Sequence, residues 1–363
     1  MHYLLWLISI IAFTWKIPLQ IYQYFIGYFY PPDLTKLGKW AIITGANTGL
    51  GKAYAYNLAS KGLQLVLLDR RESKLQELCM RLKEKYEITA TYIPFDFCHG
   101  DYNNLKHQLQ ECGILINVGI LINAVQFKDI DTFYRMSGSG FKSSFNDVYD
   151  RHMKTLKVNC LSKTLMSSIV LPTFYRRKEG LIINVSHVTG NIPSGCFSLY
   201  GAASIFSQYF TKIANLEAQI GNLKFARNGN SDQKHNIIIQ NLTAAGIQNE
   251  DPYLEKNSEI KIPNSPKTLS KFLRPTAEKF VENSLKTAGY KKETCGYFWH
   301  SLFYGMVVPF LMVVLPESWI AYYSYNIIEG IRSERRRSSV RRQSGVVIGN
   351  NVGMAGMLPK VEE

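Results

Sequence analysis

The segment Thr44-Gly45-Ala46-Asn47-Thr48-Gly49-Leu50-Gly51 closes the apolar run WAIITG (40–45) and opens an amphipathic stretch. Glycines at this spacing permit a tight turn and let another backbone or a ligand come close. A pyrophosphate can then rest on free N–H groups at the positive end of the helix that follows. The setting between strand and helix makes the spacing informative, and it predicts a dinucleotide site built from Thr44, Gly45, Asn47, Gly49, Leu50 and Gly51. Asp69 closes the next apolar run, 18 residues beyond Gly51, where an acid would hold the ribose hydroxyls of NAD; Arg70 follows at once and would favour the extra phosphate of NADP. The pair leaves NAD or NADP open. Asp96, after the third run, suits the adenine edge.

Outward from this segment, WAIITG (40–45), LQLVLLD (63–69), TATYIPFD (89–96), GILINVGILIN (113–123), GLIINVS (180–186) and HNIIIQNL (235–242) read as buried strands with helical patterns between them. Parallel strands need crossover connections, so this alternation predicts an α/β, Rossmann-type, doubly wound parallel sheet. The body is placed at 33–295, with surface insertions at Ser137–Ser144 and Asn222–Lys234. Residues 1–32 begin with LLWLISIIAFTW and carry their first basic residue at Lys16, with no A-x-A-like cleavage site behind it. They read as a retained membrane anchor that leaves the body in the cytosol. Residues 296–330 form a hydrophobic C-terminal extension whose apolar block Leu302–Leu315 is broken by Pro309, and 331–363 form a basic, disordered tail.

Composition narrows the class. Hydrophobic residues make up 46% and charged residues 19%, which excludes a disordered chain. Six cysteines show no C-x-x-C pair and no zinc spacing, so neither a disulfide framework nor a metal site is expected. The net charge of +14 is concentrated partly at Arg332, Arg335, Arg336, Arg337, Arg341 and Arg342. That cluster is too short and uniform for a folded nucleic-acid module and reads as attraction to anionic lipid. Ser339 and Ser344 each follow Arg-Arg-x, a weak phosphorylation pattern.

TGANTGLGKAYAYNLASKG (44–62) resembles the short-chain dehydrogenase/reductase family, in particular its membrane branch of type 3 and type 12 17β-hydroxysteroid dehydrogenases and very-long-chain 3-oxoacyl-CoA reductases. The resemblance extends over roughly 30–335 and includes RPTAEKFVENSLKTAGYKKETCGYFWH (274–300). It implies a nicotinamide coenzyme, NADP or NAD, a body facing the cytosol at the endoplasmic-reticulum membrane, and a small-molecule lipid ligand, steroid or fatty acyl-CoA. No nucleic-acid partner is expected, and a homodimer is left open.

Ketone reduction by that family uses Tyr, Ser, Lys and a helix Asn. The proton donor meets the developing alkoxide, a second donor shares its oxygen, and a cation lowers the donor's pKa. By resemblance, Tyr200 in LYGAAS takes the donor role and Asn159 in VNCLS, 41 residues earlier, the supporting one. The other two positions depart. His187 stands where the family has Ser, and Ser204 where it has Lys. Ser186 is one position out of register, and neighbours on a strand point to opposite faces. The family's NNxG segment is matched by either Asn117 or Asn123, with Asn123 preferred as a coenzyme contact. Ala244 and Asn249 replace Pro and Thr of the loop that closes over nicotinamide. The expectation is a dinucleotide-binding protein that is weakly active or inactive; the alternative is an active NAD(P)H-dependent ketone reductase using Tyr200 in an atypical arrangement.

Overall fold

A computed structural model describes residues 22, 24–128, 145–227, 236–247, 273–290 and 292–326. Its centre is a sheet of seven parallel strands in the order β3-β2-β1-β4-β5-β6-β7. These are β1 Trp40–Thr44, β2 Gln64–Asp69, β3 Ala90–Pro94, β4 Val118–Asn123, β5 Glu179–His187, β6 Asn236–Ala244 and β7 Glu293–Thr294. Between them run α1 Gly49–Ala59, α2 Glu72–Tyr86, α3 Tyr102–Glu111, α4 Phe145–Leu156, α5 Ser162–Arg177, α6 Ser198–Arg227 and α7 Ala277–Lys286. Every residue of β4 is buried, and all but the first of β1 and β2. Such uninterrupted apolar runs are what a sheet covered on both faces requires.

The covering divides by strand parity. Ile43, Leu65, Leu67, Ile120, Ile122 and Ile183 pack with α1, α2 and α7 on one face. Ile42, Val66, Leu68, Leu121, Ile182 and Ile239 pack with α3, α5 and α6 on the other. Strand order reverses between β1 and β4, and ligands of open α/β sheets bind outside the carboxyl ends of strands at such a switch point.

The predicted Rossmann-type sheet is therefore present, with local differences. Of GILINVGILIN only 118–123 is strand; Ile114–Ile116 forms a 3-10 turn after Gly113, whose φ is +68°. The two near-duplicate halves differ because the first must turn the chain out of α3. The insertion expected from Asn222 begins later, since α6 continues to Arg227. Pro309 does not end its helix: Phe303–Val307 is π-helical and Val308–Val314 continues as α-helix. A proline opposes the preceding carbonyls of a regular helix, and the wider π turn just before it relieves that conflict. Among the described residues no helix is long and apolar enough to cross a membrane. Most of the segment 1–32, Ser137–Ser144, Asn249 and the tail 331–363 lie outside the described residues.

Candidate functional site

The carboxyl ends of β1 and β4 open into a cleft of about 470 Å³ lined by Asn47, Thr48, Gly49, Asp69, Arg70 and Asp96 at one end and by Gln126, Phe127, Lys128 and Lys154 at the other. The glycine turn builds the first end. Gly45 has φ +66°, and a Cβ at Gly51 would stand 2.1 Å from the Gly45 carbonyl oxygen, so only hydrogen fits where α1 approaches the turn. Thr48 caps α1: its hydroxyl donates to the Gly45 carbonyl at 2.8 Å and accepts from the Gly51 amide at 3.0 Å. The Gly49 and Leu50 amides ahead of Gly51 are the remaining donors of the first turn, at the positive end of the helix dipole.

Asn47 ties this turn to β2. Its amide donates to Asp69 Oδ2 at 3.4 Å and its Nδ2 to the Arg71 carbonyl at 3.1 Å, while its Oδ1 is buried without a hydrogen-bond partner. Asp69 Oδ1 accepts from the Arg71 amide at 3.1 Å and from Arg71 Nε at 3.2 Å. The ion pair of Asp69 is made by Arg71, whose backbone turns into α2 and which the sequence reading did not single out. Arg70 is exposed at the cleft. Partial burial works to raise the Asp96 carboxyl, but the Cys98 amide at 2.9 Å and the His99 ring at 3.3 Å outweigh it and hold it below its ordinary range.

Asn123 ends β4, paired with Thr44 of β1. Its Nδ2 donates to Asn184 Oδ1 at 2.8 Å, and its own Oδ1 is buried without a partner. Asn117 precedes Val118 at the far end of the same strand, where its carbonyl receives the Lys39 and Trp40 amides. Of the two candidates, only Asn123 lies at the carboxyl edge. Thr44 Oγ1 accepts from the Val125 amide at 3.2 Å, fixing the exit of β4.

Asn159 sits in a π-helical turn, Lys157–Leu161, between α4 and α5. Its Oδ1 accepts from the Phe127 amide and its Nδ2 donates to the Phe127 carbonyl, both at 2.8 Å, so the side chain clamps the loop after β4. Tyr200, in the first turn of α6, is 2% exposed and lies behind Gln126. Its phenol donates to Gln126 Oε1 at 2.9 Å, and Gln126 Nε2 donates to the Val185 carbonyl at 3.0 Å. The carbonyl can only accept, so the amide nitrogen must face it, the amide oxygen must face Tyr200, and the phenol must give its proton to that oxygen.

Ser204 Oγ donates to the Tyr200 carbonyl at 3.0 Å, within its own helix. The His187 ring lies 5.3 Å from the Tyr200 ring. The Thr189 amide donates to His187 Nδ1 at 3.3 Å, which leaves the ring proton on Nε2. Burial, together with the positive charge of Lys128, pulls His187 from its ordinary value down to about 3. The imidazole is therefore neutral at physiological pH. Ser186 points away, toward the Leu242 carbonyl at 3.5 Å and the Thr243 hydroxyl at 3.4 Å.

Three further residues escaped sequence reasoning. Gln126 reaches Tyr200 across 74 positions and Lys128 reaches His187 electrostatically; no local pattern announces either. Lys163, 1% exposed on α5, is lowered to about 8 by burial, with nearby Cys160 opposing the shift. Its spacing of four from Asn159 was the available signal, since i and i+4 share a helix face.

With this geometry in place, comparison with known proteins is specific. A family model for short chain dehydrogenase matches residues 39–226. The very-long-chain 3-oxoacyl-CoA reductase of Mus musculus is 30% identical over 268 residues, covering 74% of this chain and 74% of that protein. The inactive hydroxysteroid dehydrogenase-like protein 1 of Rattus norvegicus is 27% identical over 311 residues, covering 85% of this chain and 81% of that one. Among solved structures, a 7β-hydroxysteroid dehydrogenase aligns with a TM-score of 0.62 at 19% identity, over 79% of this chain and 96% of its own.

Proposed function

The chain belongs to the short chain dehydrogenase family, and from that premise we propose that it binds a nicotinamide dinucleotide while reducing ketones weakly or not at all. The residues at the switch point fit such a group. The Gly51 position leaves no room for a side chain, and two buried acceptors there, Asn47 Oδ1 and Asn123 Oδ1, lack partners. Asn47, Thr48, Gly49 and Leu50 would hold the pyrophosphate, and Asp69, Arg70, Arg71 and Asp96 the adenosine end. A reduced nicotinamide supplies a hydride to a carbonyl carbon.

The single observation that carries the low-activity reading is the bond from Tyr200 to Gln126. Gln126 lines the cleft, whereas Tyr200 and His187 are not among its walls. The proton that a carbonyl oxygen would need is already given to an amide oxygen standing between donor and cleft. His187 remains neutral, and Ser204 carries no charge with which to lower the phenol's pKa. The ligand class is a ketone-bearing steroid or long-chain 3-oxoacyl-CoA, held at the endoplasmic-reticulum membrane with the body facing the cytosol.

Titration of the purified chain with NADPH and NADH, followed by nicotinamide fluorescence, tests the binding half. Saturable binding of at least one is expected, and absence of both overturns it. Reduction of either substrate class at rates unaffected by Tyr200→Phe would exclude Tyr200 chemistry, and fast Tyr200-dependent reduction would overturn the low-activity half. That second outcome has one observation in its favour, the buried ammonium of Lys163 on the helix face of Asn159. Loss of such activity in Lys163→Met, with dinucleotide affinity retained, would identify Lys163 as the replacement cation.

A further inference from the structure

After α8 Phe298–Leu302, the π turn and α9 Val308–Val314, the chain turns at Pro316 and forms a last described helical segment, 317–326. This segment lies on the loop that joins β5 to α6. The Gly195 amide donates to Ser324 Oγ at 2.7 Å, and Ser324 Oγ in turn donates to the Ala321 carbonyl at 2.9 Å. Contact is so close that a Cβ at Gly195 would stand 2.7 Å from Tyr325 Cβ and 2.9 Å from the Ala321 carbonyl oxygen. The same loop reaches Tyr200: the Gly201 amide donates to the Phe197 carbonyl at 2.6 Å, and the Phe197 and Tyr200 rings are 6.2 Å apart.

Burial along 317–326 follows a helical period. Ile320, Ala321, Ser324 and Tyr325 are half-buried against the body, and Trp319, Tyr322, Tyr323 and Asn326 are exposed. The outer stripe at i, i+3 and i+4 is thus aromatic, with Trp319 58% exposed and Tyr322 and Tyr323 each 64% exposed. A solvent-facing helix stripe is ordinarily charged. Indole and phenol side chains join an apolar body to a polar tip and favour the boundary between lipid and water. In the sequence that follows, residues 327–344 hold six arginines, from Arg332 to Arg342, against Glu329 and Glu334. Arg332 is six residues beyond Asn326, at most about 20 Å of extended chain. Aromatic stripe and cationic run together match the chemistry of an anionic lipid surface.

We propose that the segment 317–326 is an interfacial strap that rests its Trp319, Tyr322 and Tyr323 face on an anionic lipid surface and holds the β5–α6 loop, beside Tyr200, against that surface. It lies on the lipid and does not cross it. An apolar ligand dissolved in the bilayer then meets the protein next to the catalytic residues. The proposal stands independently of dinucleotide binding and of turnover.

The full chain, reconstituted in vesicles of phosphatidylcholine with and without phosphatidylserine, provides the test. With dibrominated acyl chains, the emission difference between wild type and Trp319→Phe isolates Trp319 from the other four tryptophans. Quenching of that difference signal by at least twofold in the anionic vesicles is expected, with less in neutral ones. Benzoylphenylalanine in place of Tyr322 gives a second readout that does not depend on the tryptophan variant, and a covalent lipid adduct is expected on irradiation. An unquenched Trp319, or a cross-link from position 322 to protein, including a second copy of this chain, overturns the proposal.

Discussion

Replacing Gln126 with Ala should separate the fold's need for this residue from its effect on chemistry. The substitution removes two partly buried hydrogen bonds, from the Tyr200 phenol at 2.9 Å and to the Val185 carbonyl at 3.0 Å. At a net value of about 1 kcal/mol each, the folded state should lose about 2 kcal/mol, less whatever water restores in the space left behind. Urea unfolding reads this loss. The chemical effect has the opposite sign. A phenol that no longer donates to the amide is released toward the cleft, and removal of a bond of about 1 kcal/mol that holds the proton away from substrate corresponds to about a fivefold rate increase. On the proposed reading, His187 and Ser204 leave wild type without the second donor and the cation, so the increase should be read in the background His187→Ser with Ser204→Lys. NADPH oxidation at saturating ketosteroid or 3-oxoacyl-CoA should be faster in the triple variant than in the double variant, through kcat rather than KM. A triple variant slower than the double variant, with dinucleotide affinity unchanged, refutes the reasoning and makes Gln126 a participant in substrate binding.

Other substitutions report on separate parts of the structure. Gly51→Val drives a side chain into the Gly45 carbonyl and should abolish NADPH and NADH binding in the fluorescence titration, whereas Lys61→Ala, on the exposed turn after α1, should leave both unchanged. Lys163 carries a folded-state value of about 8, so between pH 8 and its ordinary value near 10.5 the unfolded chain binds a proton that the folded chain does not. Stability should therefore rise with pH across that window, and Lys163→Met should remove the slope and stabilise the protein at pH 7 by up to about 3 kcal/mol. A destabilised variant would show that the ammonium has a compensating partner. His187 and His300 are lowered to about 3 and about 4, chiefly by burial. On acidification from about pH 6.5 the unfolded chain is protonated first and stability falls, by at most about 2 kcal/mol per histidine at pH 5. His187→Gln should flatten the difference between urea midpoints at pH 5 and pH 7.5, and an unchanged difference would place His187 in contact with water.

The sheet was legible because its determinants are local: apolar runs of the right length, separated by helical periods and led by a glycine turn. Even so, the first half of GILINVGILIN could not be told from the second by composition. What decided it was the turn at Gly113, which a sequence pattern does not display. Arg71 pairs with Asp69 because the backbone turns there into α2 and folds its side chain back, a path that no sequence pattern displays. Tyr200, Asn159, His187 and Ser204 could be placed by spacing against a known family pattern. Gln126 could not, because its significance lies in where its amide ends, 74 residues from the phenol it meets. Lys163 offered only its spacing of four from Asn159, and its burial could not be read from that.

The distribution of unsatisfied polar atoms argues for the division between binding and chemistry more directly than the substitutions do. A buried polar atom without a partner costs stability, roughly 1–3 kcal/mol, and persists in a native structure where something else completes it. Among the described residues, two such acceptors, Asn47 Oδ1 and Asn123 Oδ1, lie at the carboxyl edge of β1 and β4, beside the glycine turn. None belongs to Gln126, His187, Tyr200 or Ser204. There the phenol gives its proton to the Gln126 amide, that amide donates to Val185 and Ser204 to the Tyr200 carbonyl, while His187 Nδ1 accepts from the Thr189 amide. A catalytic end poised for a ketone would keep at least one donor directed into the cleft. The contrast supports the proposed reading: around Tyr200 the side chains bond within the protein, while two buried acceptors beside the glycine turn have no partner. Backbone amides and glycines, which the fold itself requires, make up much of the glycine-turn end, whereas proton transfer of the proposed kind rests on side chains whose replacement leaves the sheet undisturbed.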